Sequence, residues 1–175
     1  MDQNIWEKET IHRFQEIEGE EIFDQSGEVS FGVVEDVLVD PDLLKVVAIV
    51  IEQDKALVRD DELVTSVYVE DQENHSLLLS SALGVKKLDS FSGFEDWISV
   101  VNDLIGSDVR TNSGKKYGEL IDLAIGRHGK IVEYELKDPT GEGLKPINNE
   151  TMYIPGKAAH SIGSGQLIIN TRIVL

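Results

Sequence analysis

The stretch GEEIFDQSGEVSFGVVEDVLVD, Gly19 to Asp40, returns later in the chain as GSDVRTNSGKKYGELIDLAIG, Gly106 to Gly126. Gly19 matches Gly106 and Gly27 matches Gly114 at an offset of 87 residues. Gly32 matches Gly118 and Asp36 matches Asp122 at 86, and Lys45 matches Lys130 at 85. The offset changes by one at each turn and stays constant along each apolar run. That is the mark of a duplicated β module, because loops absorb length changes and strand register does not.

Each copy reads the same way locally. Glu20–Asp24 and Ser107–Thr111 predict short strands, and QSGE and NSGK predict turns with Gly at the position that takes positive φ. Gly32–Val39 and Gly118–Ile125 predict the next strands, each opening on a Gly that suits a bend or a close backbone approach. Val46–Glu52 and Ile131–Lys137 predict the third. In the second copy Val132, Tyr134 and Leu136 alternate with Glu133, Glu135 and Lys137, the period of a half-buried strand. In the first copy VVAIVIE is apolar nearly throughout, which predicts a strand covered on both faces. Further strands are predicted at 56–59, 64–69 and 76–80, and at 151–154 and 166–174.

One segment reads as a helix. Ser92 and Glu95 have capping-box spacing, and Phe94, Trp97, Ile98 and Val101 follow at helical intervals. The expected organisation is therefore an all-β chain with one connecting helix. Residues 1–88 form an acidic N-terminal unit with an arm, 89–104 the connecting helix, and 105–175 a C-terminal unit. Many short strands at even spacing with Gly turns predict two small barrels in tandem.

Charge separates the halves. The chain of 175 residues has a net charge of −17. Residues 1–90 hold 22 Asp and Glu against 7 Lys and Arg, and residues 91–175 hold 11 against 9. Nucleic-acid binding needs cations to displace counterions, so direct binding to nucleic acid is not expected. An acidic half suits a protein partner with a basic surface. No run reaches the ~18 apolar residues of a membrane span. The N-terminal residues MDQNIWEKETIHRF place acid where a signal peptide carries Lys or Arg, which predicts a cytoplasmic protein. Cysteine is absent from the sequence, which removes disulfides, thiolate nucleophiles and Cys-bound metal.

The residues offer little chemistry. His12, His75, His128 and His160 are scattered and form no HxH or HxxxH pair. Asp36, Asp40 and Asp42 with Asp60, Asp61 and Glu62 are the dense carboxylates, but their spacing does not fit a calcium loop. The expectation is that Asp40–Asp42 hold a turn through side-chain to backbone bonds. The shared Asp36 and Asp122 are expected to make a structural hydrogen bond. Trp6, Phe91, Phe94 and Trp97 are the aromatics outside the strand repeats, fit either for packing or for an interface. No enzyme activity, cofactor or metal is expected.

The pattern of Gly19, Phe23, Asp24, Gly27, Gly32, Val34, Asp36, Val37 and Val39 resembles the PRC-barrel. So does that of Gly106, Val109, Gly114, Gly118, Leu120, Asp122, Leu123 and Ile125. This module occurs in the H subunit of the photosynthetic reaction centre and in the ribosome-maturation factor RimM. The stretch Tyr153–Ile169 resembles the end of that barrel. The resemblance implies tandem barrels that dock on larger macromolecular complexes, a photosynthetic or other membrane-associated complex among them, peripherally and without spanning the membrane. The alternative it implies is a RimM-like ribosome-assembly factor that binds a basic ribosomal protein. Apart from the resemblance, the charge difference between the copies implies that they have diverged, one for a basic partner and the other for packing or self-association into a homo-oligomer.

Overall fold

A computed structural model describes residues 12–23, 28, 30–52, 55–58, 67–71, 76–79, 86–126, 129–137, 151–163 and 165–170. The chain opens with β1 (His12–Arg13) and one helical turn, α1 (Phe14–Ile17). The first half continues through β2 (Glu21–Phe23), β3 (Ser30–Asp40), β4 (Lys45–Ile51), β5 (Lys55–Val58), β6 (Val67–Asp71), β7 (Ser76–Leu79) and β8 (Lys86–Lys87). The second half holds β9 (Ile98–Ser99), β10 (Asp108–Thr111), β11 (Lys116–Ile125), β12 (Ile131–Lys137), β13 (Thr151–Pro155), β14 (Ala159–Gly163) and β15 (Gln166–Ile169).

The repeat read from the glycines is a repeat of topology. One sheet runs β6-β7-β2-β3-β4-β5-β8 and the other β14-β15-β10-β11-β12-β13. Strand senses agree too. Equivalent strands pair in parallel, β2 with β7 and β10 with β15. The neighbouring pairs β2–β3, β3–β4, β10–β11 and β11–β12 are antiparallel.

Even the irregularities recur. Register shifts leave one extra residue at Phe31, Glu35 and Val47 in the first sheet, and at Tyr117, Ile121 and Val132 in the second. A bulge bends the bulged strand and sharpens its twist. Three bulges at matched places give both sheets the same curl.

Two expectations change here. The described strands form two open sheets, and neither closes into a barrel. In the second sheet the chain turns through Pro155 and a 3-10 turn at Gly156–Ala158, so β13 and β14 stand at opposite ends of the strand order. The connecting helix over 89–104 is also replaced. The segment is a 3-10 turn (Leu88–Ser90), another (Phe94–Asp96), then β9, then a single π turn (Val100–Leu104). Gly93, at φ 84, and the extended Trp97 interrupt the helical spacing. Ile98 and Ser99 pair instead with Val39 and Leu38 of β3.

That pairing interlocks the halves. Each unit begins with a two-residue strand and one helical turn, and each of these docks on the other unit. His12 and Arg13 pair with Ile125 and Ala124 of β11, as Ile98 and Ser99 pair with Val39 and Leu38 of β3. Lys45 bridges its own counterpart Lys130 in the antiparallel sense, as expected beside a pseudo-twofold axis. One buried cluster joins Phe14, Ile17, Ile22, Val37 and Ile49 to Val100, Leu104, Leu123, Tyr134 and Leu167. The main core therefore draws on both halves. Burial of this apolar surface, at about 25 cal/mol per Å², is what holds them together.

Candidate interaction surface

The repeated aspartates sit where the halves interlock. Asp36 Oδ1 accepts hydrogen bonds from the Val37 amide at 2.7 Å and the Val101 amide at 3.0 Å. Asp122 Oδ1 accepts from the Leu123 amide at 2.9 Å and the Gln15 amide at 3.2 Å. Each carboxylate thus bonds its own strand and the first helical turn of the other half. A turn's leading N–H groups lack partners within the turn, and an acidic side chain there satisfies one of them and favours the turn's dipole.

The surroundings of the two carboxylates differ. Asp36 is half-buried, and the Ser99 hydroxyl donates to its Oδ2 while accepting from the Asn102 amide at 2.9 Å. Asp122 is only 1% exposed. Burial pushes its carboxyl above the ordinary range, against the bonds to the Leu123 and Gln15 amides and the charge of Arg13.

Arg13 takes the place that Ser99 holds in the other half. Its guanidinium donates to Glu133, lies 3.7 Å from Glu135, and stacks 4.8 Å from the centre of the Tyr153 ring. The outer face of β12 is therefore charged. The matching face of β4 is apolar: Ala48 and Val50 are buried there with Leu38 of β3, beneath Leu88 and Trp97. This accounts for the all-apolar β4. One of its faces meets the main core and the other meets the segment leading into β9.

The aromatics named as interface candidates divide accordingly. Trp97 is half-buried against that apolar face, and Phe91 and Phe94 are half-buried in the 3-10 segment before it. Trp6 and Gly27 lie outside the described residues, as do Asp60, Asp61 and Glu62. Gly19 and Gly106 take nearly the same conformation, φ 85 and φ 86, at the same bend. Gly32 and Gly114 also have positive φ, whereas Gly118 is a close-approach position beside Leu136 and Lys137. Asp40 bonds the Asp42 amide at 2.8 Å and the Leu43 amide at 3.2 Å, so its carboxylate closes its own turn.

Charge on the surface follows the sequence split. Glu16, Glu18, Glu35, Asp42, Glu52 and Asp89 are exposed in the first half. The second half compensates several of its acids, with Asp108 against Arg110 at 2.7 Å and Lys116 at 3.2 Å, and Glu119 against Lys137 at 3.4 Å. Lys116 and Arg110 hold the Asp108 carboxyl below its usual range. Leu43, Val101 and Tyr153 are the exposed large apolar side chains among the described residues. No helix among those residues is long and apolar enough to cross a membrane.

A comparison with curated proteins gives no match. A scan against family models does give one. Its span begins at Val100, on the turn that docks onto the first half, and ends past β15: residues 100–173 match the PRC-barrel domain.

Proposed function

We propose that this protein is a non-enzymatic binding module that docks through its acidic first half on a basic surface of a larger macromolecular assembly. The carrying observation is the charge split, with 22 acids against 7 bases over residues 1–90 and several exposed carboxylates on that half. The PRC-barrel match over residues 100–173 supports a binding role, since family modules of this kind carry function on grafted surfaces and not through the fold itself. The first half is, in this reading, a second and diverged copy of the domain. The strand order shared by all but β8, the matched bulges and the Asp36–Asp122 correspondence support it. A photosynthetic or other membrane-associated complex, met from the cytoplasmic side, is the first class of host to test.

The test is capture of partners by the full chain from native lysate at low salt and at about 0.5 M salt, where screening acts within a few Å. A basic partner should be retained at low salt and lost at high salt. It should also be lost when Glu35 and Asp42 are replaced by Lys. Retention of the same partner in the variant and at high salt would sink the acidic docking surface.

A further inference from the structure

We propose that the outer edge of β13, unpaired among the described residues, accepts an extended basic segment of a partner protein by strand addition. This rests on the reading of a basic partner given above and adds a second contact, on the other half of the chain. The argument is the correspondence between the sheets. The strand of the first sheet that matches β13 is β5, and its outer edge is paired by β8, with Lys55 opposite Lys87 and Ala56 opposite Lys86. Common register carries this place across. Val50 pairs Ala56 as Glu135 pairs Tyr153, and Ile51 pairs Lys55 as Leu136 pairs Met152. The equivalent site therefore lies along Met152 and Tyr153. Among the described residues β13 pairs only with β12.

An unpaired edge is a template for another chain, and main-chain hydrogen bonds supply the affinity when a peptide adds to it. The strand ends in Pro155, which sits opposite Glu133. Proline is tolerated on an edge where its missing N–H would face outward. Alternation then turns the Tyr153 and Thr151 amides outward as well. Tyr153 is 51% exposed, its ring oriented by Arg13, and Glu133 and Glu135 stand on the adjoining strand. The site thus offers outward amides and an exposed aromatic side chain, with Glu133 and Glu135 already met by Arg13. Two features select a basic occupant: the internal strand at the equivalent edge is Lys86–Lys87, and a net charge of −17 opposes a second copy of the chain.

The experiment is titration of the isotope-labelled full chain with a synthetic peptide of alternating Lys and Val, followed by amide shifts and hydrogen exchange. The Thr151 and Tyr153 amides should shift saturably and gain protection. Tyr153→Pro, confirmed folded by its melting transition, should weaken binding about tenfold or more. Tyr153→Ala, which keeps the N–H, should retain the shift at Thr151. The protection gained by the wild-type amides decides the question even if the proline variant does not fold. Shifts confined to the first half, with β13 unmoved, would overturn the edge while leaving acidic docking intact. No shift at saturating peptide would overturn the proposal. So would β13-mediated dimers in sedimentation, which would make the occupant a second copy.

Discussion

Asp36 and Asp122 make the same pair of hydrogen bonds in opposite directions across the molecule. Each accepts from the next amide of its own strand and from an amide in the helical turn of the other half. The duplicated sequence motif is thus a reciprocal clasp, and the match to the PRC-barrel domain over residues 100–173 begins on the turn that Asp36 holds.

Replacing Asp122 by Ala leaves the Gln15 and Leu123 amides without that acceptor and should cost about 1–3 kcal/mol. Asp122→Asn keeps an acceptor and removes the buried charge. The carboxyl titrates higher in the folded protein than in the unfolded chain. Its contribution to stability is therefore fully present below the unfolded value of about 3.9 and is lost as pH rises through the raised folded value. Thermal melts should show Asp122→Asn at least as stable as wild type at pH 7, with wild type regaining ground as the pH falls towards 4. An Asn variant as damaged as Ala at pH 7 would contradict this.

Trp97 covers an apolar face and is part of the fold. Trp97→Ala should uncover Leu38, Ala48 and Val50 and cost about 2 kcal/mol, below the range for a fully buried Trp because it is only half-buried. In a chain of this size that is a drop of about 4–8 °C in Tm. An unchanged melt with lost partner capture would make Trp97 an interface anchor instead.

Tyr134 is 1% exposed and its hydroxyl has no hydrogen-bond partner among the described residues. Burial also raises its pKa, so the phenol stays neutral. The corresponding residue of the first half is the apolar Ile49, which pairs with Val37 as Tyr134 pairs with Leu123. Tyr134→Phe should therefore stabilise the protein by about 1 kcal/mol in denaturant titration. A loss of stability would mean that the hydroxyl is bonded in solution.

Gly19 and Gly106 face open space, so the cost of a methyl group there is conformational alone. Gly19→Ala and Gly106→Ala should each cost about 1–2 kcal/mol, the penalty of left-handed backbone for an L-residue. The two costs should be close, because the two bends share their amide bonds to β3 and β11. A large difference between the two variants would break the equivalence of the halves.

Much of this architecture was legible because the repeat is written in positions that tolerate few residue types. Gly19 and Gly106 need positive φ, and Asp36 and Asp122 each close a bulge and a turn. Alternation from Tyr134 to Lys137 and the continuous apolar run of β4 gave their faces, while the bulge at Val132 breaks the alternation and puts Ile131 in the core instead. The connector was misread because Ser92, Glu95 and the aromatics mimic a helix start, while Gly93 and the pairing of Ile98 with Val39 prevail. The exchange of entry segments was not visible in any local window. Its trace lies upstream of the glycines, where Phe14 and Ile17 precede Gly19 as Val100 and Leu104 precede Gly106. The contact of Arg13 with Glu133 spans 120 positions and has no counterpart in the first half, so neither periodicity nor repeat alignment could find it.

The central claim is that the two halves form one interlocked body, and calorimetric unfolding of the full chain tests it most directly. The account predicts a single transition in which the calorimetric and van't Hoff enthalpies agree, and Asp122→Ala should move that transition as a whole. Two separable transitions, with Asp122→Ala shifting only one of them, would contradict it.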